Sequence, residues 1–594
     1  MPDEVTSPKP EKSFEGIAVA PGIVSGKVYV HWTDEDEIPI RKISDEEIPE
    51  EIARFETALI STRAELLEIQ QRISASIGSK DASIFDAHLL VVEDRTLIDE
   101  VLRNLERERV NVEYVFHQVA ERYCKTLSEI EDDYLRERVV DIRDVSRRVI
   151  RNLLGKSPPG LGEQQSPHIL VAHDLTPSDT ALTNRALVLG FATEVGSRTS
   201  HTAIMARSMQ IPAVVGVHGL CEGLTTGDFV LIDGHSGTVI LNPSEETVRR
   251  YEGIETQLEQ VEEKLELLRE TTATTTDGHH VVLSANIEMP DELGQVVDSG
   301  AEGVGLYRTE FLYLNRRTPP TEEEQYENYL LVAEKTQPHG AIIRTLDMGG
   351  DKSVECLHME EEQNPFLGCR AIRYCLTHEE IFKPQLRAIL RAAAAFDNIR
   401  LMYPMISSVD ELLKANQILD TCKQELRDEG IEHRADIEVG IMIEIPAAAL
   451  AADQLAEHVA FFSIGTNDLI QYTIAVDRVN ERVAHLYDPF HPAILRLIKM
   501  TTDASHDAGI WTGICGELAG DITMTPLLLG MGVDELSVGT FALPRVKRAV
   551  QLLDMETCRR IADEALTSGH SDSIARRCGE VANQFYGDLI PSTN

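Results

Sequence analysis

The sequence predicts a multidomain α/β protein: an α/β domain built from two segments, a helical bundle inserted between them, a linker helix, and a C-terminal (β/α)8 TIM barrel. Three observations carry that expectation. Glycine-punctuated, β-branched stretches flank a long block of helical periodicity, a proline-free helical stretch follows, and eight short apolar runs then alternate with helical segments. At 594 residues the chain is also too long for one compact core.

The first stretch, FEGIAVAPGIVSGKVYV, reads as a strand pair. From Ser44 to Arg151 apolar residues recur at three- and four-residue spacing among dense charge, as in IARFETALISTRAELLEI and VEYVFHQVAERYCKTL, which is the pattern of amphipathic helices. The β pattern then returns in ILVAHDL, ALVLGFAT, PAVVGV and DFVLIDG. Residues 1–43 and 157–243 are therefore expected to form one domain, with 44–156 as the insert. Residues 244–273 lack an internal proline and are rich in good helix formers, so a long helix joins this domain to the next. In residues 274–594 the candidate strands are VVLSAN, GVGLYR, AIIRTLD, RLMYPM, VGIMIEI, AFFSIG, IWTGIC and ELSVG. Eight βα units of this kind predict a TIM barrel, with functional groups at the C-terminal strand ends. A doubly wound open sheet is the competing architecture, and it gives no ready reason for so many charged strand ends.

Composition narrows the function. Hydrophobic residues at 42% and charged residues at 26% belong to a folded protein. The formal charge of −43 would repel nucleic acid and anionic membrane and attract a basic protein. No apolar run is long enough to span a bilayer, and the start MPDEVTSPKPEKSF lacks the features of a signal peptide, so a cytoplasmic location is expected. Nine scattered cysteines without a CxxC pair support neither a disulfide framework nor a structural zinc.

Polar residues fall where a barrel would use them: Asn286, Arg308, Arg344, Asp347, Glu444, Asn467, Asp468 and Cys515 end the candidate strands, and Arg478 follows the sixth. Arg308, Arg344 and Arg478 would form a clamp for phosphate or carboxylate oxygens. Glu444 and Asp468 would face one cavity, and two carboxylates beside an anionic substrate suit Mg²⁺, although either could instead pair with an arginine. Cys515 in GICGEL could move a proton at carbon, act as a nucleophile, or simply be a buried apolar residue. His201 lies in GSRTSHTAIMARS, a glycine- and hydroxyl-rich loop before a helix-like run, with Arg198 close by. For any one of the 19 histidines a hydrogen-bonded structural role is the usual expectation. This one sits where an incoming phosphate would meet free N–H groups, and a neutral imidazole is a competent nucleophile toward phosphorus. Transfer between His201 and the barrel would require a rigid-body movement about the linker helix.

Together GIAVAPGIVSGK, DLTPSDTA, GSRTSHTAIMARS, GVGLYRTEFL, RTLDMGGDK, NPFLGCRAIR, IMIEIPAA, FFSIGTNDLIQYT, DRVN and GICGELAGD make the chain resemble enzyme I of the phosphoenolpyruvate:sugar phosphotransferase system. The resemblance implies a swivelling phosphohistidine domain and phosphoenolpyruvate bound in the barrel. It implies Mg²⁺ on Glu444 and Asp468, with the substrate held by Arg308, Arg344, Asn467, Asp468 and Arg478. It further implies that His201 takes the phosphoryl group, that Thr180 orients His201, and that Cys515 protonates the enolate to pyruvate. The onward acceptor it implies is a histidine of the carrier HPr, docking on the inserted helices near SIFDAHLLVVEDRTL. A homodimer through the barrel is likewise implied. One departure is Gly196-Ser197, where the family usually has two glycines. Nothing before GIAVAPG resembles a sensory domain, which speaks against the nitrogen-system branch. Two other readings remain open: an enzyme like phosphoenolpyruvate synthase or pyruvate phosphate dikinase, for whose nucleotide-binding domain there is no room, and a non-catalytic phosphoenolpyruvate sensor.

Overall fold

The computed structural model describes residues 10–31, 38–76, 84–128, 133–155, 166–175, 187–196, 203, 206, 211–222, 224–314, 316, 318–349, 356, 357, 359, 362–478, 480 and 482–589. It divides into two compact units, one ending at Leu258 and the other beginning at Glu259. The division falls inside the linker helix, which runs Glu245–Glu266.

In the first unit the opening segment forms three strands where the sequence suggested a pair: β1 (Lys12–Glu15), β2 (Ile17–Ala20) and β3 (Ile23–His31). None of the three pairs with another of them. With β4 (His168–Ala172), β5 (Val188–Thr193), β6 (Ala213–Val215), β7 (Phe229–Asp233) and β8 (Thr238–Leu241) they make one sheet in the order β1-β8-β7-β3-β4-β5-β6-β2. β1 and β2 occupy opposite edges, yet only Gly16 separates them. The sheet must therefore roll until its edges meet, and Gly16 N–H donates to Gly237 O there at 2.8 Å. β3 to β6 run parallel, and the remaining pairings are antiparallel.

Strand alternation builds two cores. Ile169 and Val171 join Val28, Val30, Val214 and Ile232 on one face. Leu170, Ala172 and Phe191 face the other way and share a cluster with Phe55, Leu66, Val101, Phe116 and Val149. Those last residues, with Val92, come from the inserted helices α1 (Ile48–Ser76), α2 (Ile84–Val92), α3 (Arg95–Glu108), α4 (Val112–Ser128) and α5 (Asp133–Leu153), so the apolar stripes of the bundle are buried against the sheet.

The second unit is a closed barrel of eight parallel strands: β9 (Val282–Ile287), β10 (Gly303–Arg308), β11 (Gly340–Arg344), β12 (Ile399–Tyr403), β13 (Val439–Ile443), β14 (Phe461–Ile464), β15 (Trp511–Ile514) and β16 (Glu535–Val538). Every expected run became a strand. Closure through β16–β9, with Glu535 opposite Val282 and Val538 opposite Ala285, excludes the open-sheet alternative. Leu306, Ile342, Met402, Met442, Phe461 and Cys515 form a cluster of their own, contributed by consecutive strands and filling the barrel interior. Among the described residues no helix is long and apolar enough to cross a membrane.

Candidate active site at the mouth of the barrel

The C-terminal strand ends bring most of the expected residues together. Arg308 and Arg344 are the last residues of β10 and β11. Glu444 directly follows β13, Asn467 and Asp468 open the helix Thr466–Ile474 after β14, and Cys515 directly follows β15. Asn286, in β9, donates to Cys515 O and Ser537 O at 3.1 Å each, tying the last strands to the first. Asn467 exchanges hydrogen bonds with Glu517, at 3.2 Å from its amide and 3.1 Å to its carbonyl oxygen.

At the centre of the mouth, acids and arginines alternate. Glu310 pairs with Arg344 Nη2, and Arg344 Nη1 lies 3.1 Å from Asp347 Oδ2. Asp347 Oδ1 accepts from Arg370 Nη2 at 2.8 Å, and the same nitrogen lies 3.3 Å from Asp468 Oδ2. Asp468 Oδ1 is 3.4 Å from Arg478 Nη1. Neighbouring carboxylates, above all those of Glu310 and Asp347 for Arg344 and Asp347 and Asp468 for Arg370, hold both guanidinium groups above their ordinary pKa against the opposing effect of burial. Arg308 stands apart from this chain and bonds Glu288 at 2.9 Å.

Several donors in this chain are left over. Arg344 Nε and Arg370 Nε are buried and make no hydrogen bond, and Arg478 Nη1 has only its long ion-pair contact with Asp468. A buried guanidinium N–H without an acceptor is costly, and two at one mouth are what an oxyanion ligand would satisfy. Glu444 is 2% exposed and accepts from Met405 N–H at 2.6 Å. Burial first, then Asp468 and Asp347, raise its carboxyl well above the ordinary range. Among the described residues no cluster of three or more His, Cys, Asp or Glu could cage a metal. Glu444 and Asp468 are the two carboxylates here that could hold a hard divalent cation, with substrate and water oxygens completing its shell.

Cys515 is 2% exposed and its Sγ lies 3.7 Å from Ile464 O. Burial pushes its thiol up to about 11. The next residue, Gly516, packs so closely that a Cβ there would collide with Thr466 Oγ1.

Reading the sequence missed Arg370, Glu310 and Tyr472. Arg370 lies in the loop before the helix Ile372–Thr377, away from any strand end, so the strand-end rule passed over it. His201, Thr180, Ser197 and Arg198 lie outside the described residues. Gly196 is described and has φ 135°, a conformation side chains rarely adopt, so a glycine is needed at this position of the loop.

Fold and site together define an anion-binding TIM barrel joined to a separate α/β unit. Family models match along most of the chain: "PEP-utilising enzyme, N-terminal" over residues 15–138, "PEP-utilising enzyme, mobile domain" over 164–237, and "PEP-utilising enzyme, PEP-binding domain" over 262–555. A phosphoenolpyruvate-protein phosphotransferase from Staphylococcus carnosus (strain TM300) is 43% identical over 95% of this chain and 98% of its own length. One from Listeria innocua serovar 6a is 45% identical over the same shares. A solved NMR structure of an Enzyme I protein (nEIt) is 41% identical over 41% of this chain and 99% of that one, with a TM-score of 0.37. The chain belongs to the phosphoenolpyruvate-protein phosphotransferases, within the PEP-utilising enzymes.

Proposed function

We infer that the chain transfers the phosphoryl group of phosphoenolpyruvate first to a histidine of its own and then to a histidine of the carrier HPr, releasing pyruvate, as the first step of sugar uptake by the phosphotransferase system. The observation that carries the reading is the run Glu310–Arg344–Asp347–Arg370–Asp468–Arg478, in which Arg344 Nε and Arg370 Nε lack an acceptor, beside the buried Glu444.

In this reading Arg308, Arg344, Asn467 and Arg478 hold the phosphate and carboxylate oxygens of phosphoenolpyruvate, and Arg370 shares that task. Glu444 and Asp468 hold Mg²⁺, which when bound draws electron density from the substrate's phosphate oxygens. His201 attacks phosphorus, the bond from phosphorus to the enol oxygen breaks, and the enolate of pyruvate leaves. Cys515, kept protonated by burial, gives its proton to the enolate methylene carbon. Thr180 orients the imidazole. Residues 1–43 and 157–243 form the mobile phosphohistidine domain, 44–156 the HPr-binding bundle, 244–273 the linker, and 274–594 the phosphoenolpyruvate-binding barrel, through which the chain dimerises. The strongly acidic surface suits a basic carrier, and a cytoplasmic location suits the partners.

Intact-mass measurement tests this directly. After phosphoenolpyruvate and Mg²⁺ are added the chain gains one phosphoryl group, which adding HPr removes. His201→Ala gains none, and neither does the wild type when Mg²⁺ is chelated. Phosphoryl uptake by His201→Ala would contradict the assignment of the nucleophile.

A further inference from the structure

Arg370 has no role in the sequence-level reading, yet it is the most elaborately held side chain at the mouth. Nη2 is shared between Asp347 Oδ1 at 2.8 Å and Asp468 Oδ2 at 3.3 Å. Nη1 donates to Tyr472 OH at 3.2 Å. The guanidinium carbon lies 5.9 Å from the centre of the Phe366 ring. Nε remains buried and without a partner.

Tyr472 stands four residues after Asp468 in the helix Thr466–Ile474, so both side chains project from one face of it. They take one terminal nitrogen of Arg370 each. The phenol donates its own proton elsewhere, to Phe366 O at 2.6 Å, with the Met405 thioether at 3.9 Å a weak second acceptor. Because that proton is committed, the oxygen can only accept from Arg370. The same hydroxyl fastens the loop that carries Phe366 and Arg370 to the helix that carries Asn467 and Asp468.

We propose that Tyr472 is a positioning residue for substrate binding: its hydroxyl fixes the plane of the Arg370 guanidinium and so presents the unpaired Nε–H to an oxygen of phosphoenolpyruvate. A guanidinium with both terminal nitrogens held has little rotational freedom left to lose when the anion binds. Without the hydroxyl, Nη1 loses its acceptor, Phe366 O loses its donor, and the group can turn about its long axis. The inference rests on the phosphoenolpyruvate reading given above.

Titration calorimetry with phosphoenolpyruvate and Mg²⁺ tests it on full-length protein carrying His201→Ala, so that no transfer disturbs the reading. Adding Tyr472→Phe, which removes one oxygen and keeps the ring, weakens binding about tenfold, the usual scale for a hydrogen bond to a charged group. Arg370→Lys also weakens binding, and adding Tyr472→Phe to it produces no further loss. A merely structural tyrosine would give two losses that multiply. Unchanged affinity in Tyr472→Phe, or independent losses in the double variant, overturns the proposal. Phosphoryl uptake by the wild type is read in parallel by mass. Absent uptake with a clear Tyr472 effect on binding defeats the functional reading alone, whereas normal uptake with no such effect defeats this inference alone.

Discussion

Cys515 shows how one side chain is tuned by where the fold puts it. The thiol has almost no contact with water, and burial makes the charged thiolate the disfavoured form. Its pKa, raised from an ordinary 9 to about 11, leaves it protonated throughout the neutral range. That is the state a proton donor needs and an attacking thiolate does not, which supports the proton-donor role proposed for it. Labelling of Cys515 by iodoacetamide, followed by mass spectrometry of its peptide, should therefore be slow at neutral pH. It should quicken about tenfold per pH unit toward the raised pKa, because only the thiolate reacts. A rate that levels off near pH 8 would show that the proton is held far less tightly. Arg370 makes the opposite point about legibility. Its residue type is visible in NPFLGCRAIR, but its partners Asp347, Asp468 and Tyr472 lie 23 to 102 positions away, and no local pattern announces them.

Elements are legible where their signal is local. The helix Glu322–Thr336 opens with a reciprocal cap: Thr321 Oγ1 accepts from Glu324 N–H at 3.3 Å, and Glu324 Oε2 accepts from Thr321 N–H at 2.8 Å. Hydrogen bonds from Thr321 and from Arg316 hold the Glu324 carboxyl down at about 2, so the cap is intact at neutral pH. Thr321→Ala should cost about 1 kcal/mol, read as a lower urea midpoint with an unchanged slope. A midpoint equal to that of the wild type would mean that the cap contributes nothing. The eight barrel strands were equally readable, each being a short apolar run between helical stretches. The N-terminal strands were not. FEGIAVAPGIVSGKVYV reads as a strand pair because its composition reports only that strands form, while β1, β2 and β3 find their partners among β8, β6, β7 and β4. The sequence reading also passed over β8, four residues in GTVIL after DFVLIDG, because a run that short is hard to tell from a turn.

At the scale of the whole molecule, two units with separate cores predict separable stability. The barrel's main cluster draws only on residues from Val261 onward, whereas the clusters of the first unit reach no further along the linker helix than Ile254. Scanning calorimetry should accordingly resolve more than one transition. In His201→Ala protein, where no transfer follows binding, phosphoenolpyruvate with Mg²⁺ should raise the barrel's transition and leave the other where it is, since a ligand stabilises only the unit that binds it. A single transition that moves as one would mean that the units unfold together. What the sequence by itself determined was the set of modules and the chemistry available to them: periodicities of two and of 3.6 residues, and polar residues at strand ends, are properties of neighbouring positions. Tertiary structure alone decided which charges meet. Barrel closure gathers Glu310, Arg344, Asp347, Arg370, Asp468 and Arg478 from three separate βα segments, and an ion pair depends on distance in space, to which distance along the chain is no guide.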